Sequence, residues 1–175
     1  MARPRIRITG GRLIDPHNRI DDELDLCIAD GRVAAVGEGC ADFTFDKEID
    51  ASGLFVIPGL IDLCARLREP GEEYKATIDS ECRAAAASGI TTLCCPPDTD
   101  PVIDTPAVIE LIHHRARQTG AARVVGLGAL THGLDGVHLS EMAALKQAGC
   151  IGVSNALTPL ASTLIQRRAF EYAAT

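Results

Sequence analysis

Glu81-Cys82-Arg83-Ala84-Ala85-Ala86-Ala87-Ser88-Gly89-Ile90-Thr91-Thr92-Leu93-Cys94-Cys95 changes its periodicity once, at Gly89. Before that residue, the alanine- and glutamate-rich text from Glu73 to Ser88 favours a helix, and Gly89 suits the left-handed position that closes one. After it, Thr91–Cys95 is a β-branched and apolar run that reads as a buried strand. The alternation continues outward. Pro106 to Arg117 is a second helix, with proline at an N1-like position and Gly120 past its end. Arg123–Ala129 is a strand, Leu139–Ala148 a helix, Cys150–Ser154 a strand, and Thr163–Ala174 a further helix. In the other direction, Phe55-Val56-Ile57 leads to Pro58–Leu63, the first strand of the series. Strands alternating with helices are the mark of βα units around a parallel sheet, so residues 57–175 read as an α/β segment.

Residues 1–56 have a different texture. Arg5–Thr9, Arg12–Ile14, Leu24–Ile28 and Arg32–Val36 are short β-like runs separated by Gly10-Gly11, Asp15-Pro16-His17-Asn18 and Asp30-Gly31. Asp30-Gly31 predicts a type I′ hairpin, and the whole predicts a small antiparallel sheet closed by Asp50–Gly53. Residues 57–175 amount to about half of the ~250 residues of a complete eightfold βα barrel, and four strands are legible where eight would close the ring. The expectation is an incomplete (β/α)8 TIM-type barrel from a fragment or truncated form, because a half barrel leaves two open sheet edges.

Composition narrows the function classes. Hydrophobic residues make up 46% and charged residues 23% of the 175, enough apolar material for a core. Lys plus Arg is 17 against 24 for Asp plus Glu, a net charge of -7, and there is no Trp; this argues against nucleic acid as a partner. No apolar run reaches the ~18 residues of a membrane span, and the basic Met1–Arg7 start lacks a signal-peptide core, so the expected location is cytoplasmic, with no membrane contact. Seven cysteines with no CxxC spacing are expected to be reduced and mostly buried.

The chemistry-bearing text is Pro58-Gly59-Leu60-Ile61-Asp62-Leu63-Cys64-Ala65-Arg66-Leu67-Arg68-Glu69-Pro70-Gly71. On a strand, 62, 64, 66 and 68 would point together, toward the end of the sheet where barrel enzymes keep their sites. This text resembles the dihydroorotase branch of the amidohydrolase family, whose signature here is Pro-Gly-x-Ile-Asp-x-His-x-His-x-Arg-Glu-Pro-Gly. Ala84–Thr92, the Pro97–Pro101 loop, and the run from Gly128-Ala129-Leu130-Thr131 through Glu141-Met142 to Ala148-Gly149 match the family in order. The resemblance implies a small β-sandwich beside the barrel, which accounts for residues 1–56.

The departures fall on the metal site. Cys64 and Arg66 stand where the family has two metal-binding histidines, Asn155 stands in place of a ligating carboxylate, and Asp98 replaces an asparagine that helps hold the substrate carboxylate. Arg68, the family's carboxylate-binding arginine, is kept. Arg66 has no lone pair and stays charged. A dication about 4 Å from it would be repelled by roughly twice the ~4 kcal/mol that two unit charges feel at an effective dielectric of 20. Zinc is therefore expected to be lost. Arg66 and Asp98, on neighbouring strands, are expected to pair.

Several of these residues have plainer readings. Cys64 reads as a packed small hydrophobe, and Arg68 with Glu69, taken without the motif, as a surface ion pair. His113 and His114 diverge around their helix and favour its C-terminus as cations. His132 and His138 lie on a solvated loop, and Gly126-Leu127-Gly128 is strand punctuation rather than a dinucleotide fingerprint.

The resemblance implies a catalytically inactive dihydroorotase-like subunit, not an enzyme, with no catalytic residues. Arg68 and Asp98 are remnants of the substrate pocket, while Cys64, Arg66 and Asn155 mark vacated ligand positions. It further implies association with the catalytic chain of aspartate carbamoyltransferase in pyrimidine biosynthesis, alongside self-association or contact with the C-terminal part of its own chain. Two alternatives stay open: an active zinc-dependent cyclic amidohydrolase with an atypical site that uses Cys64, and a sensor that binds dihydroorotate or carbamoyl aspartate through Arg68.

Overall fold

Asp30 and Gly31 both take positive φ, 53° and 74°, in the computed structural model, as a type I′ hairpin requires. The structure describes residues 3–174; Met1, Ala2 and Thr175, and with them the outermost parts of the basic start and of the 57–175 segment, lie outside the described residues. The chain divides into two compact units, Met1–Pro58 and Gly59–Thr175. Among the described residues, no helix is long and apolar enough to cross a membrane.

The first unit holds strands β1 (Ile6–Thr9), β2 (Arg12–Asp15), β3 (Ile20–Glu23), β4 (Leu26–Ala29), β5 (Arg32–Val36), β6 (Lys47–Asp50) and β7 (Phe55–Val56). They form two sheets, ordered β5-β4-β1-β6 and β3-β2-β7. The expected single antiparallel sheet is corrected on two counts, since β1 pairs with β6 and β2 with β7 in parallel. β6 and β7 reach their partners by long excursions rather than hairpins, which is the condition for parallel pairing. β3 was not legible because Ile20-Asp21-Asp22-Glu23 offers a single apolar residue. Its register against β2 is held by Arg12, which donates to both carboxylate oxygens of Asp21 at 2.6 and 2.9 Å. Leu13, Cys27, Cys40 and Ala51 are the buried apolar residues here.

The second unit is an α/β layer. Strands β8 (Leu60–Asp62), β9 (Ile90–Cys95), β10 (Arg123–Ala129) and β11 (Cys150–Ser154) form one parallel sheet in the order β11-β10-β9-β8. Helices α1 (Ile78–Ala87), α2 (Pro106–Thr119), α3 (Met142–Gln147) and α4 (Thr163–Ala173) alternate with and follow the strands. The core is a continuous cluster that includes Leu67, Ile78, Leu93, Ile103, Ile109, Ile112 and Leu145. Gly126 and Gly128 on β10 let helical side chains lie directly on the sheet: a Cβ at either would stand 2.3 Å from Ile109 Cδ1 or 2.7 Å from Leu145 Cδ1. These glycines punctuate the strand for close helix–sheet approach.

Four elements differ from the sequence reading. β8 stops at Asp62, whose Oδ1 accepts the Cys64 N–H at 2.9 Å and turns the chain out of the sheet. Phe55-Val56 pairs with β2 instead of leading into β8. α1 begins at Ile78 rather than near Glu73, because Thr77 and Ser80 form a reciprocal capping box. α3 begins at Met142 rather than Leu139. Leu139 bridges to Thr131, and the Ser140 N–H is bound to the Leu130 carbonyl, so both residues are committed before the helix can start.

Candidate functional site

Leu67, only 1% exposed, anchors the segment after β8 in the core, and the flanking Arg66 and Arg68 therefore project away from it. Ala65 donates to the Cys94 carbonyl at 2.9 Å, which keeps this segment beside β9. Arg66 Nε donates to Asp98 Oδ2 at 2.9 Å, the contact expected from their neighbouring strands. This pair is about one-third exposed, with side-chain exposures of 36% and 26%. Its hydrogen bond is the main influence holding the Arg66 guanidinium above its ordinary value. Arg66 Nη1 also lies 3.9 Å from Cys64 Sγ.

Arg68 takes φ of 65° and turns to Glu72, donating from Nη1 to Oε2 at 2.8 Å. Lys75 and then Arg68 hold the Glu72 carboxyl below the usual range by hydrogen bonding. Two loops close the site from opposite sides. The Asp100 N–H donates to the Pro70 carbonyl at 3.2 Å, and Gly71, at φ of 109°, leaves so little room that a Cβ there would stand 2.6 Å from the Asp100 carbonyl oxygen. Arg66, Arg68, Glu72, Tyr74, Asp98 and Asp100 line the resulting cavity, of about 500 Å³.

Of the residues singled out from the sequence, Arg66, Arg68 and Asp98 therefore share one cavity. The expected alternation of 62, 64, 66 and 68 along a strand is corrected: β8 ends at Asp62, and a turned segment carries the other three. Asn155 is committed elsewhere. Its Oδ1 accepts from Thr131 Oγ1 at 2.7 Å and its Nδ2 donates to the Thr158 carbonyl at 3.0 Å, tying together the loops that follow β10 and β11. Thr131 is fully buried and accepts the Gly136 N–H as well. Sequence reasoning passed over it, since a lone threonine after a strand carries no signal of burial.

Glu69 is also corrected. It does not pair with Arg68; its Oε2 accepts the Ile78 N–H at 2.9 Å at the start of α1, and its Oε1 lies 3.5 Å from Arg115 Nε. A carboxylate at a helix N-terminus satisfies an orphan donor and complements the helix dipole. His113 is partly buried, and burial first, then Arg117 and Arg123, hold its pKa below the ordinary value, which disfavours the cation expected there. His132 lies 3.7 Å from Asp104, and His138 2.7 Å from Asp135.

Cys64 is exposed, against the expectation that it is packed, because β8 has already left the sheet when the chain reaches it. The other six cysteines are buried, and burial pushes the Cys95 thiol up to about 12 and the Cys150 thiol to about 11. A thiol-disulfide reagent is therefore expected to titrate one thiol in the native protein and all seven after denaturation. Fast native reaction that survives Cys64→Ser would contradict this placement.

Zinc requires lone-pair donors converging on one point. Arg66 stands beside the Cys64 thiol as a cation, and both polar ends of Asn155 are bound to protein groups. Among the described residues, no group of three or more His, Cys, Asp or Glu is placed to hold a metal ion. The residues at these positions do not fit zinc.

The model of a family described as "Dihydro-orotase-like" matches residues 53–174. A protein of Pseudomonas aeruginosa named dihydroorotase-like protein is 52% identical over 170 residues, covering 97% of this chain and 40% of the relative. A protein of Trichlorobacter lovleyi named dihydroorotase is 46% identical, covering 95% of this chain and 39% of the relative. The chain thus spans about 40% of the length of the curated relatives it matches. Among solved structures, the L-hydantoinase (dihydropyrimidinase) of Arthrobacter aurescens matches with a TM-score of 0.77 at 24% identity, over 99% of this chain and 39% of that one. A D-hydantoinase matches with a TM-score of 0.60 over 73% of this chain and 27% of that one. The first of these likenesses concerns the fold alone.

Proposed function

The chain belongs to the dihydro-orotase-like family, and from that premise we propose that it is part of a catalytically inactive dihydroorotase-like subunit. In this reading its four-stranded sheet is the first half of a (β/α)8 barrel over 57–175, and residues 1–56 contribute to a β-sandwich. The subunit acts in the cytoplasm, supporting the assembly and activity of the aspartate carbamoyltransferase catalytic chain in pyrimidine biosynthesis.

The observation that carries the reading is the Arg66–Asp98 ion pair at 2.9 Å. In the resembling family the position of Arg66 belongs to a metal-binding histidine. A charged guanidinium already paired with a carboxylate occupies that position instead, and it opposes a dication. Without a metal, neither the hydroxide nor the polarised carbonyl of zinc-dependent amide hydrolysis is available from these residues.

The full-length protein, co-expressed with the aspartate carbamoyltransferase catalytic chain, is expected to elute as a stable mixed assembly by size exclusion with light scattering. It is also expected to carry substoichiometric zinc and to show no turnover of dihydroorotate. Separate elution at micromolar concentration would remove the partner; stoichiometric zinc with turnover would remove the inactive subunit. A second reading, an active hydrolase with an atypical site, is favoured by the exposed Cys64 thiol and by relatives named dihydroorotase. The zinc and turnover measurements decide between the two.

A further inference from the structure

At the N-terminal end of the parallel strands, opposite the Arg66–Asp98 cavity, a second cleft of about 570 Å³ opens between the C-terminal half of α2 and the feet of β9, β10 and β11. Arg117 from the last turn of α2, Arg123 from the first position of β10 and His113 line it, and no acidic residue does. Both arginines are exposed, and among the described residues neither forms an ion pair. His113 is held in the wall of the cleft, where a Cβ on Gly149 would stand 3.0 Å from its Cε1.

A cleft whose charged lining residues are both arginines stands out on a chain whose net charge is -7. The other arginines with described carboxylate partners, such as Arg7, Arg12, Arg66 and Arg68, are neutralised within the fold. Arg117 is also favourable at a helix C-terminus, but the helix dipole places no second guanidinium at the foot of β10. Like charges gathered around one concavity repel each other, and a bound anion converts that repulsion into attraction. Two guanidinium forks offer the paired donors that match a phosphoryl group, and Thr91 is on the same lining. Ile151, 62% exposed, adds an apolar side chain at the foot of β11.

We propose that this cleft is a binding site for a dianionic organic phosphate, its phosphoryl group on Arg117 and Arg123 and its organic body against Ile151. Such a ligand gains from both halves of the lining, whereas inorganic phosphate gains from one and a monocarboxylate has half the charge. The site is separate from the Arg66 cavity and does not depend on the function proposed for it.

Calorimetric titration of the protein with phenyl phosphate, inorganic phosphate and benzoate tests the proposal. Phenyl phosphate is expected to saturate at millimolar concentration and to bind more tightly than the other two, with the His113 ring resonance shifting in step. Arg117→Ala and Arg123→Ala are each expected to weaken it by about tenfold or more, the scale of one charge-assisted hydrogen bond. Arg123→Lys, which keeps the charge without the fork, should weaken it less, and unchanged circular dichroism would show that the variants are folded. Binding that is unchanged in folded Arg117→Ala and Arg123→Ala overturns the site, as does the absence of saturable binding. Benzoate binding as tight as phenyl phosphate overturns the ligand class.

Discussion

Replacing Ile109 with alanine is expected to lower the stability of the second unit by about 2–5 kcal/mol, the range for truncating a fully buried aliphatic side chain in a core that relaxes only in part. Ile109 has no exposed surface, and its Cδ1 lies over the bare backbone of Gly126 on β10. Its removal leaves a gap where α2 rests on the sheet, with Ile112, Val124 and Leu145 in the same cluster. The measurement is urea denaturation, with the midpoint lowered and the slope unchanged. A double-mutant cycle sharpens it. Gly126→Ala alone places a methyl 2.3 Å from Ile109 Cδ1 and is expected to cost about 1–3 kcal/mol as overpacking. In the Ile109→Ala background the same methyl enters vacated space, so the double variant should be more stable than the sum of the singles predicts. Additive losses would mean that the two groups do not meet.

Gly71→Ala is expected to have an effect of similar size by a different route. Gly71 has φ of 109°, where an L side chain is strained, and the new Cβ would stand 2.5 Å from Asp100 Cβ and 2.6 Å from the Asp100 carbonyl oxygen. Backbone cannot yield as a flexible side-chain tip can. The strain of about 1–3 kcal/mol for a disallowed conformation is therefore joined by about 1–3 kcal/mol for the collision. The loop that carries Asp98 must move, and the Arg66 pair loosens with it. Denaturation midpoints and the rate of Cys64 labelling report the two consequences together. Gly89→Ala is the control: φ is 82° there too, but nothing lies within 4 Å of the added Cβ, so strain alone applies, about 1–2 kcal/mol. Equal losses at Gly71 and Gly89 would show that the contact with Asp100 contributes nothing.

Much of the second unit was legible because its signals are local. β10 and β11 fall on the expected residues, and α2 starts at Pro106 and closes at Gly120, with φ of 64°, as a proline and a glycine at those positions require. Elements held by distant partners were not legible. β3 exists because Arg12 meets Asp21, and β6 because β1 offers an edge. α1 begins late because Thr77 and Glu69 satisfy two of its first N–H groups.

The candidate site divides in the same way. The amino-acid sequence by itself determined that a cation stands at Arg66, where the resembling family has a metal-binding histidine, and that an anion stands at Asp98, just past the end of the next strand. Residue type and chain order are local properties, so they survive without coordinates. Only the tertiary structure decided that Arg66 and Asp98 close to 2.9 Å, that Cys64 is exposed, and that Arg68 turns to Glu72. Each of those outcomes depends on where β8 leaves the sheet and on how closely Gly71 lets the Asp100 loop approach. They are contacts between segments tens of residues apart, and the pattern within neither segment specifies them.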